Sequence, residues 1–139
     1  MTREEFEAKL VKEFPNLYVD MHGDPRTTCM AWGVDTGPGW YEIIYDLSRK
    51  LEALILSVPE EQRSDCKASQ VKQKLGGLRF YMDGATEEMR RLVRETEELS
   101  YQTCETCGQP GKLCGDWRKN EWLYTSCKEH AKKQHKDKF

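Results

Sequence analysis

The chain lacks every short motif that would place it in a common enzyme class. It has no G-x-x-x-x-G-K-[ST] phosphate loop, no G-x-G-x-x-G, no H-E-x-x-H and no G-x-S-x-G. Histidine is scarce, at three in 139 residues. No apolar run approaches the length of a membrane span. The N-terminal MTREEFEAKL carries charges throughout and lacks a signal-peptide layout, so a cytoplasmic chain without membrane contact is expected. Dense positive charge is missing too. Lys and Arg number 22 against 24 Asp and Glu, which is not the balance of a dedicated nucleic-acid binder. There is no internal repeat and no low-complexity tract.

The charge is uneven, however. Residues 101–139 hold eight Lys or Arg against five Asp or Glu, while residues 1–100 hold 14 against 19. The tail is mildly basic and the body acidic.

The six cysteines are the most informative feature. In a reducing compartment, clustered cysteines point to metal before disulfides. Cys104 and Cys107 form C-x-x-C followed by Gly108, as in a zinc knuckle. Cys127 and His130 form C-x-x-H, followed by helix formers. Between the pairs, Lys112-Leu113-Cys114 and Trp122-Leu123-Tyr124 are the expected arms of a hairpin. Knuckle, hairpin and a helix carrying the second pair resemble a treble-clef zinc finger. An i, i+3 pair on a helical turn aims both side chains the same way, and tetrahedral Zn²⁺ takes thiolate and imidazole ligands. Cys114 in place of His130 would give a four-cysteine site, and both sets stay open. Four protein ligands leave no position for water, so a structural zinc is expected. Cys29 and Cys66 read as buried thiols. Some treble clefs are nucleases with a catalytic His on the first hairpin arm. GKLCGDW contains none, and only His22 and His135 would remain, so the sequence leans away from an enzyme.

The body reads as helices around a hairpin. Thr2 and Glu5 make a capping box, and Phe6, Leu10 and Phe14 recur at helical spacing up to Pro15. NLYVDM and Cys29–Asp35 are predicted strands. From Trp40, Ile44, Leu47, Leu51, Leu54, Ile55 and Val58 form one stripe ending at Pro59. EEQRSDC is a predicted loop. Thr86 caps a third helix whose buried face is Met89, Leu92, Val93, Thr96 and Leu99. VDTG, Val34 to Gly37, echoes an aspartic-protease motif but reads as a helix-entry turn.

VKQKLGGLRFY, Val71 to Tyr81, predicts a hairpin turning at Gly76-Gly77. That register sets Lys74 against Arg79 and Lys72 against Tyr81. Val71, Leu75, Leu78, Phe80 and Met82 share one face with Gln73, and Lys72, Lys74, Arg79 and Tyr81 share the other. Like charges facing each other are destabilising. Two solutions are open. Glu42, Asp46, Glu95 or Glu98 supplies ion pairs, which the sequence slightly favours. Alternatively, Lys72, Lys74 and Arg79 hold the phosphate of a nucleotide or nucleic acid while Tyr81, Trp40 or Tyr41 stacks on a base.

GPGWYEII (Gly37 to Ile44), QVKQKLGGLRFY (Gln70 to Tyr81), and SYQTCETCGQPGKL with the later WLYTSCKEHA together resemble a family of short proteins common in tailed-phage and prophage genomes. The resemblance spans roughly residues 32–131. It implies a phage origin, a bacterial host cytoplasm, and an accessory role that binds and inhibits or modulates a host component, such as antiviral defence. The expected fold is α+β. A small antiparallel sheet with three packing helices makes a body, residues 1–100, and a treble-clef-like zinc module, residues 101–139, packs on it. A host protein is the first expected partner and a nucleotide or nucleic acid the second. An exposed apolar or aromatic patch would mark the first and salt-sensitive binding the second.

Overall fold

Helix α1, Arg3–Glu13, starts at the expected box: Thr2 Oγ1 accepts from the Glu5 amide at 3.1 Å, and Glu5 Oε1 accepts from the Thr2 amide at 2.9 Å. The computed structural model describes residues 1–139. Helix α2, Tyr41–Ile55, buries Ile44, Leu47, Leu51 and Ile55, the stripe its apolar spacing predicts. A single turn, α3, Glu60–Arg63, replaces the predicted loop after Pro59. Thr86 caps α4, Glu87–Ser100, by accepting from the Met89 amide at 3.3 Å. Met89 is buried as expected, but Leu99 is exposed. Ser100, not Leu99, turns inward, where its hydroxyl accepts from the Leu78 amide at 2.9 Å.

The sheet of the body has three strands in the order β1 (Val34–Asp35), β2 (Lys67–Lys74), β3 (Gly77–Asp83). It is mixed, not antiparallel: β1 runs parallel to β2, with Val34 opposite Val71. The two strands predicted before residue 36 largely do not form. Residues 16–21 are turns, and Cys29–Trp32 is a 3₁₀ turn. Two buried carboxylates hold these segments, and the Thr28 side chain caps the Cys29–Trp32 turn by accepting from the Met30 amide. Glu52 on α2 accepts from Asn16 Nδ2 at 2.7 Å and the Leu17 amide at 2.8 Å. Glu7 on α1 accepts from the Val34 amide at 2.6 Å and the Arg3 guanidinium at 3.2 Å, and its Oε1 lies 3.1 Å from His22 Nε2. The Leu17 amide that would have joined a ladder is bound by a side chain instead, whereas Val34 keeps its place opposite Val71.

The hairpin turns one residue earlier than the sequence suggests. Leu75 (φ 54°) and Gly76 (φ 85°) form the turn, as a two-residue primed turn requires. Lys72 therefore faces Arg79, and Lys74 faces Gly77. Gly77 is needed elsewhere: a Cβ there would lie 2.3 Å from the Tyr101 ring. Leu75 leaves the core face and is exposed, while Val71, Leu78 and Phe80 stay buried. One cluster of 18 buried residues runs from Phe6 to Met89 and joins α1, α2 and α4 to the inner face of the hairpin.

Beyond Tyr101 the chain forms a second, two-stranded sheet, β4 (Lys112–Cys114) antiparallel to β5 (Tyr124–Ser126). The second arm thus starts two residues later than Trp122. The helix expected to carry Cys127 and His130 is not there. Those residues sit in turns, and a 3₁₀ segment follows at Lys133–Lys138. The architecture is mixed α+β. No helix is long and apolar enough to cross a membrane.

Candidate functional site

The C-x-x-C loop is closed by its own backbone. The Cys104 amide donates to the Gln109 carbonyl and the Gly108 amide to the Cys104 carbonyl, both at 2.8 Å. The body presses on this loop. Gly39 N donates to the Glu105 carbonyl at 2.7 Å, Gly37 N to Glu105 Oε2 at 2.8 Å, and the Trp40 indole to the Thr103 carbonyl at 2.8 Å. Gly39 must be glycine for this approach, because a Cβ there would lie 2.1 Å from the Cys104 carbonyl oxygen. GPGW and CETCG, far apart in sequence, are therefore the two sides of one contact.

Cys104, Cys107, Cys127 and His130 come together with their donor atoms all within 4.8 Å of one another. Cys127 Sγ lies 3.2 Å from His130 Nδ1, Cys107 Sγ 3.7 Å from Cys127 Sγ, and Cys104 Sγ 3.9 Å from His130 Nδ1. Three thiols and an imidazole at these spacings can hold a metal ion. Cys114 stands outside the group. It is buried, and its thiol donates to the Lys112 carbonyl at 3.4 Å. Burial opposes ionisation of Cys104, but amides of Cys127, Cys107 and Thr106 directed at its sulfur outweigh it and lower its pKa to about 6. Burial raises the pKa of Cys114, the mark of a thiol kept neutral. Cys66 is buried as expected, whereas Cys29 is exposed.

The hairpin face departs further from expectation. No carboxylate pairs with Lys72, Lys74 or Arg79. The favoured ion-paired face is therefore not formed: Asp46 pairs with Arg49 and Lys50, and Glu95 pairs with Arg91. Arg79 instead donates to the Tyr101 hydroxyl at 3.1 Å and to the Leu78 carbonyl at 3.0 Å. The expected stacking partners are dispersed. Trp40 is fully buried under the metal loop and offers no free face. Tyr41 stacks on Phe6 with ring centroids 4.1 Å apart. Tyr81 is exposed but lines a hollow with α4 residues such as Arg90 and Val93, away from Lys74.

Lys74 has other neighbours. With Leu75 it faces Trp117, Glu121, Trp122 and Leu123 across a cleft of about 240 Å³. The ends of the stretch WRKNEW, Trp117 and Trp122, read from sequence only as parts of hairpin arms and not as a binding feature. Two tryptophans flanking Arg118 and Lys119 are the signal that would have found it. His135 also escaped assignment. It is buried, with Nδ1 2.7 Å from the Tyr124 hydroxyl and Nε2 3.0 Å from Glu121 Oε2. No family model, curated protein or solved structure matches the chain.

Proposed function

We propose that this chain is a zinc-stabilised protein that binds nucleic acid through a basic face running from the hairpin onto the C-terminal module. The observation that carries the reading is a contrast in ion pairing. Every Lys or Arg ion pair uses a cation between Arg3 and Arg94, and none uses Lys72, Lys74, Arg79 or any of the eight Lys and Arg beyond residue 100. Cations left without carboxylates are free to meet phosphate. A protein of net charge −2 can still do this, because phosphate senses the local patch rather than the total.

Zinc fits the metal centre. Zinc–sulfur bonds of about 2.3 Å and zinc–nitrogen bonds of about 2.0–2.1 Å in a tetrahedron imply edges of about 3.8 Å between sulfurs and about 3.6 Å from sulfur to nitrogen. The sulfur–sulfur spacing of 3.7 Å is close to its edge, the sulfur–nitrogen spacings of 3.2 and 3.9 Å lie on either side of theirs, and no donor pair is farther apart than 4.8 Å. Cys104, Cys107, Cys127 and His130 would hold the ion and staple the loop that Trp40 and Gly39 dock against. The role is structural, and no catalytic residue is assigned. The setting that the resemblance implies, a phage accessory protein in the host cytoplasm, suits a small metal-stapled binder.

The test is fluorescence anisotropy of a labelled oligonucleotide with the metal-loaded protein over a salt series. We expect binding whose affinity falls linearly with salt on logarithmic axes. No binding at low salt would remove the reading. A host protein as partner is the second reading. It is favoured by a groove of about 710 Å³ along α1, where Val11 and Trp32 are exposed beside His22. Trp32→Ala would weaken such a complex without changing oligonucleotide affinity.

A further inference from the structure

Trp117 and Trp122 are the two most exposed large apolar side chains of the molecule, at 70% and 72%. Both line the cleft that faces the hairpin tip. A ring left this bare in a polar chain normally marks a contact. The cleft of about 240 Å³ is smaller than the roughly 300–1,000 Å³ that encloses a whole drug-sized ligand, so it suits one planar ring.

Its polar groups are held in place. Glu121 Oε2 accepts from His135 Nε2 at 3.0 Å, His135 Nδ1 accepts from the Tyr124 hydroxyl at 2.7 Å, and that hydroxyl accepts from the Lys132 amide at 2.9 Å. The chain of bonds fixes the imidazole and the carboxylate together, and the Asp116 backbone adds a further hydrogen bond to that carboxylate. The cations around the cleft are the opposite case. Lys74 and Arg118 have no carboxylate partner, and the Arg118 guanidinium lies 5.6 Å over the Trp117 ring.

We propose that this cleft is a base-stacking site, so that the nucleic acid bound by the basic face is single-stranded. The inference rests on the reading of that face as a phosphate-binding surface. Trp117 and Trp122 offer ring faces to an unstacked base, and Lys74 and Arg118 meet the flanking phosphates. The Glu121 carboxylate accepts from an exocyclic amine, as acidic side chains do from cytosine N4. In a duplex both faces of every base are covered and the amines are paired, so the cleft stays empty. Aromatic stacking tolerates any base, which predicts weak sequence preference.

The experiment compares one labelled oligonucleotide, single-stranded and as its duplex, against full-length metal-loaded protein. We expect the single strand to bind roughly tenfold tighter or more, and its binding to quench tryptophan fluorescence. Trp117→Ala and Trp122→Ala should each lower single-strand affinity by about tenfold, with duplex affinity, salt slope and metal content unchanged. Trp122→Phe should recover most of the loss. Equal affinity for both forms, or unaltered single-strand affinity in the Trp variants, overturns the stacking site and leaves the basic face standing. Absence of binding to either form at low salt overturns both.

Discussion

The body buries 18 residues in one apolar cluster, whereas the module after Tyr101 buries Thr103, Thr125, Ser126 and His135 beside Cys104, Cys114 and Ala131. The body has a stripe on each of its main helices and a sheet face to close over them. The module has two three-residue strands and turns. Apolar burial drives folding in proportion to area removed from water, about 25 cal/mol per Å². The body has that area and the module does not. What the module has is a donor set for a metal, and a docking surface on Gly37, Gly39, Trp40 and the hairpin turn, where Thr125 Oγ1 donates to the Gly76 carbonyl at 2.7 Å. One half is held by its own core. The other rests on the body and gathers a donor set that could hold a metal ion.

The largest effect should come from taking the metal away. Chelation, or Cys104→Ser, should collapse the module, because the binding energy of a structural zinc, on the order of 10 kcal/mol, is folding energy. In an amide NMR spectrum the signals of residues 101–139 should lose dispersion while those of α1 and α2 keep theirs. Elemental analysis should find one zinc per chain beforehand. A module that stays folded without metal would break the comparison from one side, and a body that unfolds with it would break it from the other.

Next in size is the reverse perturbation. Leu51 is fully buried in the α2 stripe. Leu51→Ala should cost about 2–5 kcal/mol in urea denaturation and leave the zinc stoichiometry at one. Loss of zinc in this variant would mean that the two halves fold as one unit.

How these halves could be read from sequence follows the same division. Where a signal is local, the sequence suffices. The Thr2–Glu5 box, the α2 stripe and the Thr86 cap each act within a few residues. The two ligand pairs are local too, which is why spacing singles out Cys104, Cys107, Cys127 and His130. Several of the failures are long-range. Residues 16–21 lose their strand to Glu52, some 35 residues away, and Gly77 leaves the turn because the Tyr101 ring needs the space. Trp40 reads as a possible stacking platform only until the module covers it. Trp117 and Trp122 read as hairpin residues although they stay bare. Exposure of an aromatic ring is decided by what packs on it, and sequence spacing does not carry that.

A smaller effect probes the seam. Trp40→Phe keeps most of the buried ring but removes the indole that donates to the Thr103 carbonyl. An unpaired buried carbonyl costs about 1–3 kcal/mol. The loss should appear in the module's unfolding and as weaker zinc retention in competition with a chelator. An unchanged zinc affinity would show that the knuckle is positioned without the body's help.

The smallest effect on stability belongs to Arg79, which sharpens the comparison because it sits on the body and reaches the first residue of the module. It makes no ion pair, and its guanidinium touches the Tyr101 hydroxyl and the neighbouring Leu78 carbonyl. Lys72 lies directly opposite it in the ladder. Arg79→Ala removes its hydrogen bonds to a half-exposed hydroxyl and to the Leu78 carbonyl and also relieves a like-charge pair, effects of opposite sign. The net change in unfolding free energy should stay within about 1 kcal/mol. Binding should respond differently. If Arg79 meets phosphate, its removal lowers affinity for every oligonucleotide sequence alike and reduces the salt slope by roughly one. Arg79→Lys should restore the slope, since a point charge suffices there. An Arg79→Ala protein with unchanged salt slope would confine the phosphate contacts to the module. The hairpin would then be only the surface on which the module rests.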